Sequence, residues 1–272
     1  MKCGRLDLVS KTDQKKVYLQ VENGVGTIYI NRPEKRNALT YDMWIDLAQL
    51  VDQCNDNKDV KVMVFRSTTE VAFSAGADIG EFKTVRYTAE GAEKYNDATM
   101  ILEEKIAKSA KPSIAMISGF CVGGGCEISV ACDFRFSDES GRFGITPAKL
   151  GLIYNTPGTK NLVDLVGPSN AKDILFTGRI IDAEEALQMG LINRIIEKSE
   201  LVKQTYEFAH LICRNAQMSV RGSKTIINRV LNGDVSDSEE IAELVLESFV
   251  SEDYREGVNA FLDKRKPNFK FS

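Results

Sequence analysis

The chain has 272 residues, 43% hydrophobic and 27% charged, with a net charge of −4. Those proportions describe a globular protein with one large core, or one core and a smaller appended part. The mildly acidic balance argues against a nucleic-acid or anionic-membrane surface, and no stretch approaches the ~20 apolar residues needed to span a bilayer.

Six cysteines, at 3, 54, 121, 126, 132 and 213, form no CxxC pair, and His210 is the single histidine. A structural zinc site is therefore not expected. Cys121, Cys126 and Cys132 sit in apolar runs and read as reduced packing residues. His210 shares an apolar helical spacing with Phe208 and Leu211 and reads as structural. The polar opening MKCGRLDLVSKTDQKK lacks the apolar core of a secretory signal, so a soluble, cytoplasmic protein is expected.

In chain order, residues 1–15 read as a loose extension. Residues 17–22 and 27–31 flank Asn23-Gly24-Val25-Gly26, a hairpin signal. Residues 32–39 form a polar loop opened by Pro33, and Thr40 stands as the N-cap of a helix with Met43, Leu47, Leu50, Val51 and Cys54 on one stripe. Residues 61–66 read as a buried strand. The segment FSAGADI (73–79) then places a small glycine-bearing turn before a short helix. Residues 88–110 form a long amphipathic helix stopped by Lys111-Pro112. A strand over 113–118 runs into Gly123-Gly124-Gly125, an apolar helix over 128–132 and a further strand over 134–136.

After about residue 155 helical periodicity dominates, with loops at Gly167-Pro168, Gly178 and Gly233. Ser236-Asp237-Ser238-Glu239 fits a capping box ahead of a helical face carrying Ile241, Leu244, Val245, Ser248 and Phe249. There is no repeat of fixed period. Strands separated by helices of this length imply right-handed parallel crossovers. The expected organisation is an extension (1–15), an α/β core (16–200) and a helical C-terminal region (201–272).

The chemistry centres on the glycines. A strand, a glycine turn and a helix present backbone N–H groups at a helix N-terminus, where negative charge is favoured and an oxyanion can be held. Taken alone, the same glycines are equally compatible with nothing more than tight helix-on-strand packing.

FSAGADI (73–79) and GGGCE (123–127) together resemble the crotonase (enoyl-CoA hydratase/isomerase) superfamily. The resemblance continues through NRPEKRNAL (31–39), FTG (176–178) with DAEEA (182–186), GLIN (190–193), Glu256-Gly257 and AFLDKR (260–265). It covers almost the whole chain, and the order and spacing of these short motifs are specific where each alone is weak. It implies an α/β spiral of repeated ββα units with a helical C-terminal trimerisation region, and a homotrimer or homohexamer. It further implies an acyl-CoA substrate, with coenzyme A entering as part of that substrate and no separate cofactor.

By motif match, the N–H groups of Ala77 and Gly124 bind the thioester oxygen as charge develops there, each worth roughly 3 kcal/mol in the barrier. Glu127 takes the position of a family glutamate that handles protons; read without the family, it is only an acid favoured at a helix start. Ala75, Asp78, Ile79, Gly123, Thr146 and Pro147 complete the expected acyl pocket, with helix capping as the other role for Asp78. Lys35, Arg36 and the Ala38 carbonyl match the family loop that wraps the nucleotide, and Lys264 matches a phosphate contact across a subunit boundary.

One departure bears on the reaction. Family hydratases carry a second glutamate four residues after the Phe of an FG pair; that Phe is Phe143 here, and the position holds Pro147. The segment TPAKLGLIYN (146–155) resembles the methylmalonyl-CoA decarboxylase branch, in which a tyrosine, here Tyr154, enters the site. That branch carries a histidine where this chain has Ala77. The expectation is a lyase that forms and quenches a thioester enolate, with decarboxylation of a malonyl-type CoA ester first. Enoyl-CoA hydration or isomerisation is one alternative, and a non-catalytic CoA-ester binding protein another. Protease, Rossmann and P-loop readings fail for want of GxSxG, GxGxxG and GK[ST].

Overall fold

Asn23 and Gly24 both have positive φ, 50° and 85°, the backbone that a two-residue type I′ turn requires. They join β1 (Val17–Glu22) and β2 (Val25–Ile30) as the expected antiparallel hairpin. This computed structural model describes residues 15–270. All but the last residue of the expected 1–15 extension lies outside that range.

Thr40 caps α1 (Tyr41–Asp56) by accepting the Met43 N–H at 3.4 Å. Helix α1 buries Met43, Leu47, Val51 and Cys54 against the sheet as its stripe demands, and adds Trp44. Each large apolar side chain so buried contributes about 1.5–3 kcal/mol. The chain continues through β3 (Val62–Ser67), β4 (Ala72–Ser74), α2 (Phe82–Val85) and α3 (Ala89–Lys108). It then forms β5 (Ser113–Ile117), β6 (Phe120–Val122), α4 (Gly124–Ala131), β7 (Phe134–Ser137), β8 (Arg142–Gly144) and α5 (Thr156–Thr177). Helix α5 is kinked at Gly167 (φ 74°), where the sequence placed a loop. Beyond it lie β9 (Ile181–Asp182), α6 (Ala183–Gln188), β10 (Arg194–Ile195), α7 (Leu201–Cys213), α8 (Gln217–Leu231), α9 (Glu239–Val250) and α10 (Glu252–Leu262).

The strands form two sheets, β1-β2-β3-β5-β7-β10 and β4-β6-β8-β9. The chain enters the first sheet as β3, β5 and β7, all parallel. Each time it steps into the second sheet, as β4, β6 and β8, also parallel; helical segments carry it back after β4 and β6, while after β8 the next helix leads to an antiparallel β9 in the same sheet before α6 returns the chain to β10. This is a mixed α/β fold built as a spiral of ββα units. The central strands of the first sheet are buried on both faces, so β3 and β5 are continuous apolar runs, VMVF and SIAMI, rather than alternating ones. On one side lies the main core with α1, α3 and α4; on the other, Leu201 and Ala209 of α7 pack on Val62, Val64, Ile114 and Phe136.

The C-terminal helices depart from expectation in one detail. Helix α9 starts two residues later than the Ser236 box predicted. Ser238 is its cap, accepting the Ile241 N–H at 3.3 Å and an Arg229 N–H at 2.8 Å. Of the predicted face, Ile241 is buried while Val245 and Phe249 are 37% and 55% exposed.

For the site, the decisive feature is that β4 and β6 are parallel neighbours, with Ser74 opposite Cys121. Their C-terminal ends, and the turns that follow, are therefore side by side.

Candidate active site

The turn after β4 is fixed by an isolated parallel bridge between Leu39 and Ala77. The Leu39 N–H donates to the Gly76 carbonyl at 2.7 Å, and the Asp78 N–H donates to the Leu39 carbonyl at 2.8 Å. A parallel bridge made this way leaves the N–H of the residue between, Ala77, facing away from Leu39. Ala77 lines a cavity. Gly124 is the first residue of α4, so its N–H has no partner within the helix; it lines the same cavity.

Two glycines allow these donors to meet. A Cβ on Gly76, whose φ is +95°, would lie 2.9 Å from the Val122 carbonyl oxygen and 3.3 Å from the Gly124 nitrogen. A Cβ on Gly124 would lie 2.6 Å from the Trp44 ring. The backbone approach is thus too close for any larger residue.

Glu127, one turn into α4, opens on the same cavity. Glu127 is half-buried there. Burial above all, with the Cys126 thiol adding, pushes its pKa up to about 7, against the pull of the Arg86 cation. Arg86 is itself held by the faces of Tyr95 and Phe82, at 4.9 and 5.0 Å, and donates to Asn96 at 2.8 Å. The Trp44 indole N–H donates to the Tyr95 hydroxyl at 2.9 Å. The cavity volume is about 130 Å³, close to the ~150 Å³ that accommodates a benzene ring.

Nine expected residues line this cavity: Ala75, Ala77, Ile79, Gly123, Gly124, Glu127, Thr146, Pro147 and Tyr154. Five do not. Asp78 takes the capping role expected for it rather than a place in the cavity wall: it accepts from Arg32 at 2.7 Å and from the Gly80 N–H at 3.0 Å, and Arg32 holds its pKa below the usual range. The Ala38 carbonyl accepts from Arg32 at 2.9 Å, the Arg36 guanidinium lies 5.6 Å from the Phe120 ring centre, and Lys35 ends the short 3-10 turn Pro33–Lys35. Lys264 follows α10 with φ 54°. Pro147 opens a single 3-10 turn, Pro147–Leu150, and brings no carboxyl to the cavity wall. Among the described residues no group of three or more His, Cys, Asp or Glu is placed to hold a metal ion, and no helix is long and apolar enough to cross a membrane.

Sequence reasoning missed Glu103. It is 1% exposed and sits one turn beyond Thr99 and two beyond Tyr95, both of which line the cavity. Neither carboxyl oxygen has a hydrogen-bond partner among the described residues, and neither does the Tyr154 hydroxyl. Burial first, then the neighbouring negative charge of Glu127, pushes Glu103 up to about 8; the facing Asn155 amide, short of hydrogen-bond geometry, offsets part of this. Burial likewise raises Tyr154 well above the ordinary phenol value, and both carboxyls add to the effect. The available signal was an acid on the buried Tyr95–Thr99–Glu103 stripe of an amphipathic helix.

The sequence model of the enoyl-CoA hydratase/isomerase family matches residues 20–271. A crotonyl-CoA hydratase from Syntrophomonas wolfei is 34% identical over 254 residues, 93% of this chain and 97% of that protein. A short-chain-enoyl-CoA hydratase from Clostridium acetobutylicum is 36% identical over 251 residues, covering 92% and 95%. The crystal structure of an enoyl-CoA hydratase/isomerase family protein from Hyphomonas neptunium superposes with a TM-score of 0.93 at 40% identity, covering 96% of this chain and all of that one. These names support the hydratase alternative over the decarboxylase branch that residues 146–155 had put first.

Proposed function

The chain belongs to the enoyl-CoA hydratase/isomerase family, and from that membership we propose that it adds water across the double bond of a short-chain enoyl-CoA. The observation that carries the reading is the pairing of two unengaged backbone N–H groups, at Ala77 and Gly124, with a carboxyl at Glu127 whose pKa lies near 7. The thioester oxygen accepts both N–H groups. As water adds to Cβ, electrons move onto that oxygen and an enolate forms. Each donor then lowers the barrier by about 3 kcal/mol. Glu127 removes the proton from the attacking water, and a pKa close to neutral suits it to hold that proton and release it in turn. Protonation at Cα completes the addition. The small cavity favours a short acyl group, in keeping with the substrates that the two hydratases' names state.

A second reading, double-bond migration within an enoyl-CoA, is favoured by Pro147. Migration needs only one group to shuttle a proton, and no carboxyl stands at the position of the second hydratase glutamate. The test is to incubate the purified protein separately with crotonyl-CoA and with 3-butenoyl-CoA, separate the products by chromatography, and read water gain by mass and the conjugated enoyl thioester by its ultraviolet absorbance. A gain of one water on crotonyl-CoA supports hydration. Conversion of 3-butenoyl-CoA to crotonyl-CoA, with no water gained, supports migration instead. Tight binding without conversion of either supports a CoA-ester binding protein.

A further inference from the structure

Hydration needs a proton delivered to Cα as well as one taken from water, and Pro147 cannot deliver it. Glu103 and Tyr154 are the two buried oxygen-bearing side chains beside Glu127 that no hydrogen bond occupies among the described residues. They meet at Gly158, near the start of α5: a Cβ there would lie 2.6 Å from the Tyr154 hydroxyl and 2.9 Å from the Glu103 Oε2. The absence of a side chain at Gly158 is what leaves room for the phenol and the carboxyl to be neighbours. Tyr154 lines the cavity and Glu103 stands behind it.

We propose that Glu103 is the second carboxyl of the site, storing the proton that the Tyr154 hydroxyl delivers to the substrate Cα. The proposal rests on the hydratase reading above. Within one turnover a water O–H breaks, its oxygen bonds Cβ and its proton goes to Glu127. The Tyr154 O–H gives its proton to Cα, and the Glu103 carboxylic acid restores the phenol. Glu127 is then neutral and Glu103 charged, and return of one proton from Glu127 to Glu103, through Tyr154 or a cavity water, resets the pair. One water is consumed and the protein is unchanged. Glu103 is thus a positioning and proton-storing residue, while Tyr154 and Glu127 touch the substrate. A carboxyl this buried, faced only by the Asn155 amide, would be a plain cost in a merely structural position; as a proton store it must start each turnover neutral, and its surroundings favour that.

The groups facing the pair are Glu127 and Cys126 on α4, Asn155 and Tyr154 ahead of α5, Glu104 on the same helix as Glu103, and Arg86 across the cavity from them. Glu103 works in its neutral form, so kcat falls as pH rises through about 8.

The experiment is Glu103→Gln, with Tyr154→Phe beside it, in crotonyl-CoA hydration across pH and in deuterium exchange at Cα of butyryl-CoA. The infrared band of neutral carboxylic acid is followed through the same pH range. Expected are a fall in kcat of about 10²-fold for each variant with KM little changed, loss of the alkaline limb near pH 8 in Glu103→Gln, and loss of a neutral-carboxyl band in that variant. A folded Glu103→Gln with the wild-type kcat and alkaline limb overturns the proposal, as does a neutral-carboxyl band that survives the substitution. If the wild type exchanges the Cα proton but does not hydrate crotonyl-CoA, the hydratase reading falls. Glu103 is then upheld by exchange lost in the variant and overturned by exchange retained.

Discussion

The indole N–H of Trp44 donates to the hydroxyl of Tyr95 at 2.9 Å, tying α1 to α3 directly behind the Gly124 backbone. Both side chains are buried, and the Trp44 ring is the surface against which Gly124 is pressed. The position of the Gly124 N–H is therefore set by packing from α1 as much as by its own turn. Two substitutions separate these roles. Gly124→Ala drives a methyl into the Trp44 ring and displaces the donor, so kcat is expected to fall about 10²- to 10³-fold, the loss seen when one oxyanion donor is removed. Tyr95→Phe leaves the Trp44 N–H buried without its acceptor and should cost about 1–3 kcal/mol of stability, read by urea unfolding. A Gly124→Ala enzyme of wild-type activity would remove the backbone donor from the account.

Glu127 gives a pH signature. Its carboxyl titrates near 7, and on the hydratase reading it acts on water as the ionised base, so kcat/KM should rise with pH through about 7 before the alkaline fall that Glu103 sets near 8. Glu127→Gln should lower kcat by about 10²- to 10⁴-fold. The stability consequence has the opposite sign. Glu127 and Glu103 are both raised above the ~4.3 of an unfolded glutamate, so between that value and about 8 the folded state holds more protons than the unfolded one. Stability therefore falls as pH rises through this window. In Glu103→Gln that fall should be shallower, as urea midpoints at pH 5 and pH 8 would show.

The last two helices carry an apolar surface that this single chain leaves open. Phe261 and Leu262 are 83% and 71% exposed, and Leu246, Phe249 and Val250 are also largely exposed. Apolar side chains exposed in this number on two neighbouring helices fit assembly with further copies of the chain. A trimer or hexamer is expected by light scattering, and Phe261→Asp with Leu262→Asp should shift it to the monomer. A monomeric wild-type protein would contradict this.

How legible the site was depends on whether its chemistry lay in the backbone or across the fold. Ala77 and Gly124 were readable because backbone donors depend on short local patterns, small residues beside a turn, which survive as strings in the sequence. The Asn23-Gly24 turn and the Thr40 cap were readable for the same local reason. Glu103 was not singled out, because its meaning depends on α3 packing beside α4 and α5, which brings it to Glu127, Tyr154 and Gly158 from far along the chain. The three-residue β6 and β8 are too short to show a period of two. At α9 the cap is Ser238, two residues past the serine that opens the sequence box, and it also accepts from Arg229, a contact from α8 that no local pattern shows. The absence of a carboxyl at Pro147 was correctly read, but the preference drawn from it and from residues 146–155, decarboxylation, is not supported by the relatives, whose names favour the hydratase alternative.

The central claim is that Ala77, Gly124 and Glu127 carry enolate chemistry on an enoyl-CoA. Its most direct test is to supply crotonyl-CoA and methylmalonyl-CoA together in deuterium oxide and weigh the products. A hydrated crotonyl product carrying one deuterium on Cα is expected, with methylmalonyl-CoA untouched. Loss of CO2 from methylmalonyl-CoA, with crotonyl-CoA unchanged, would contradict it.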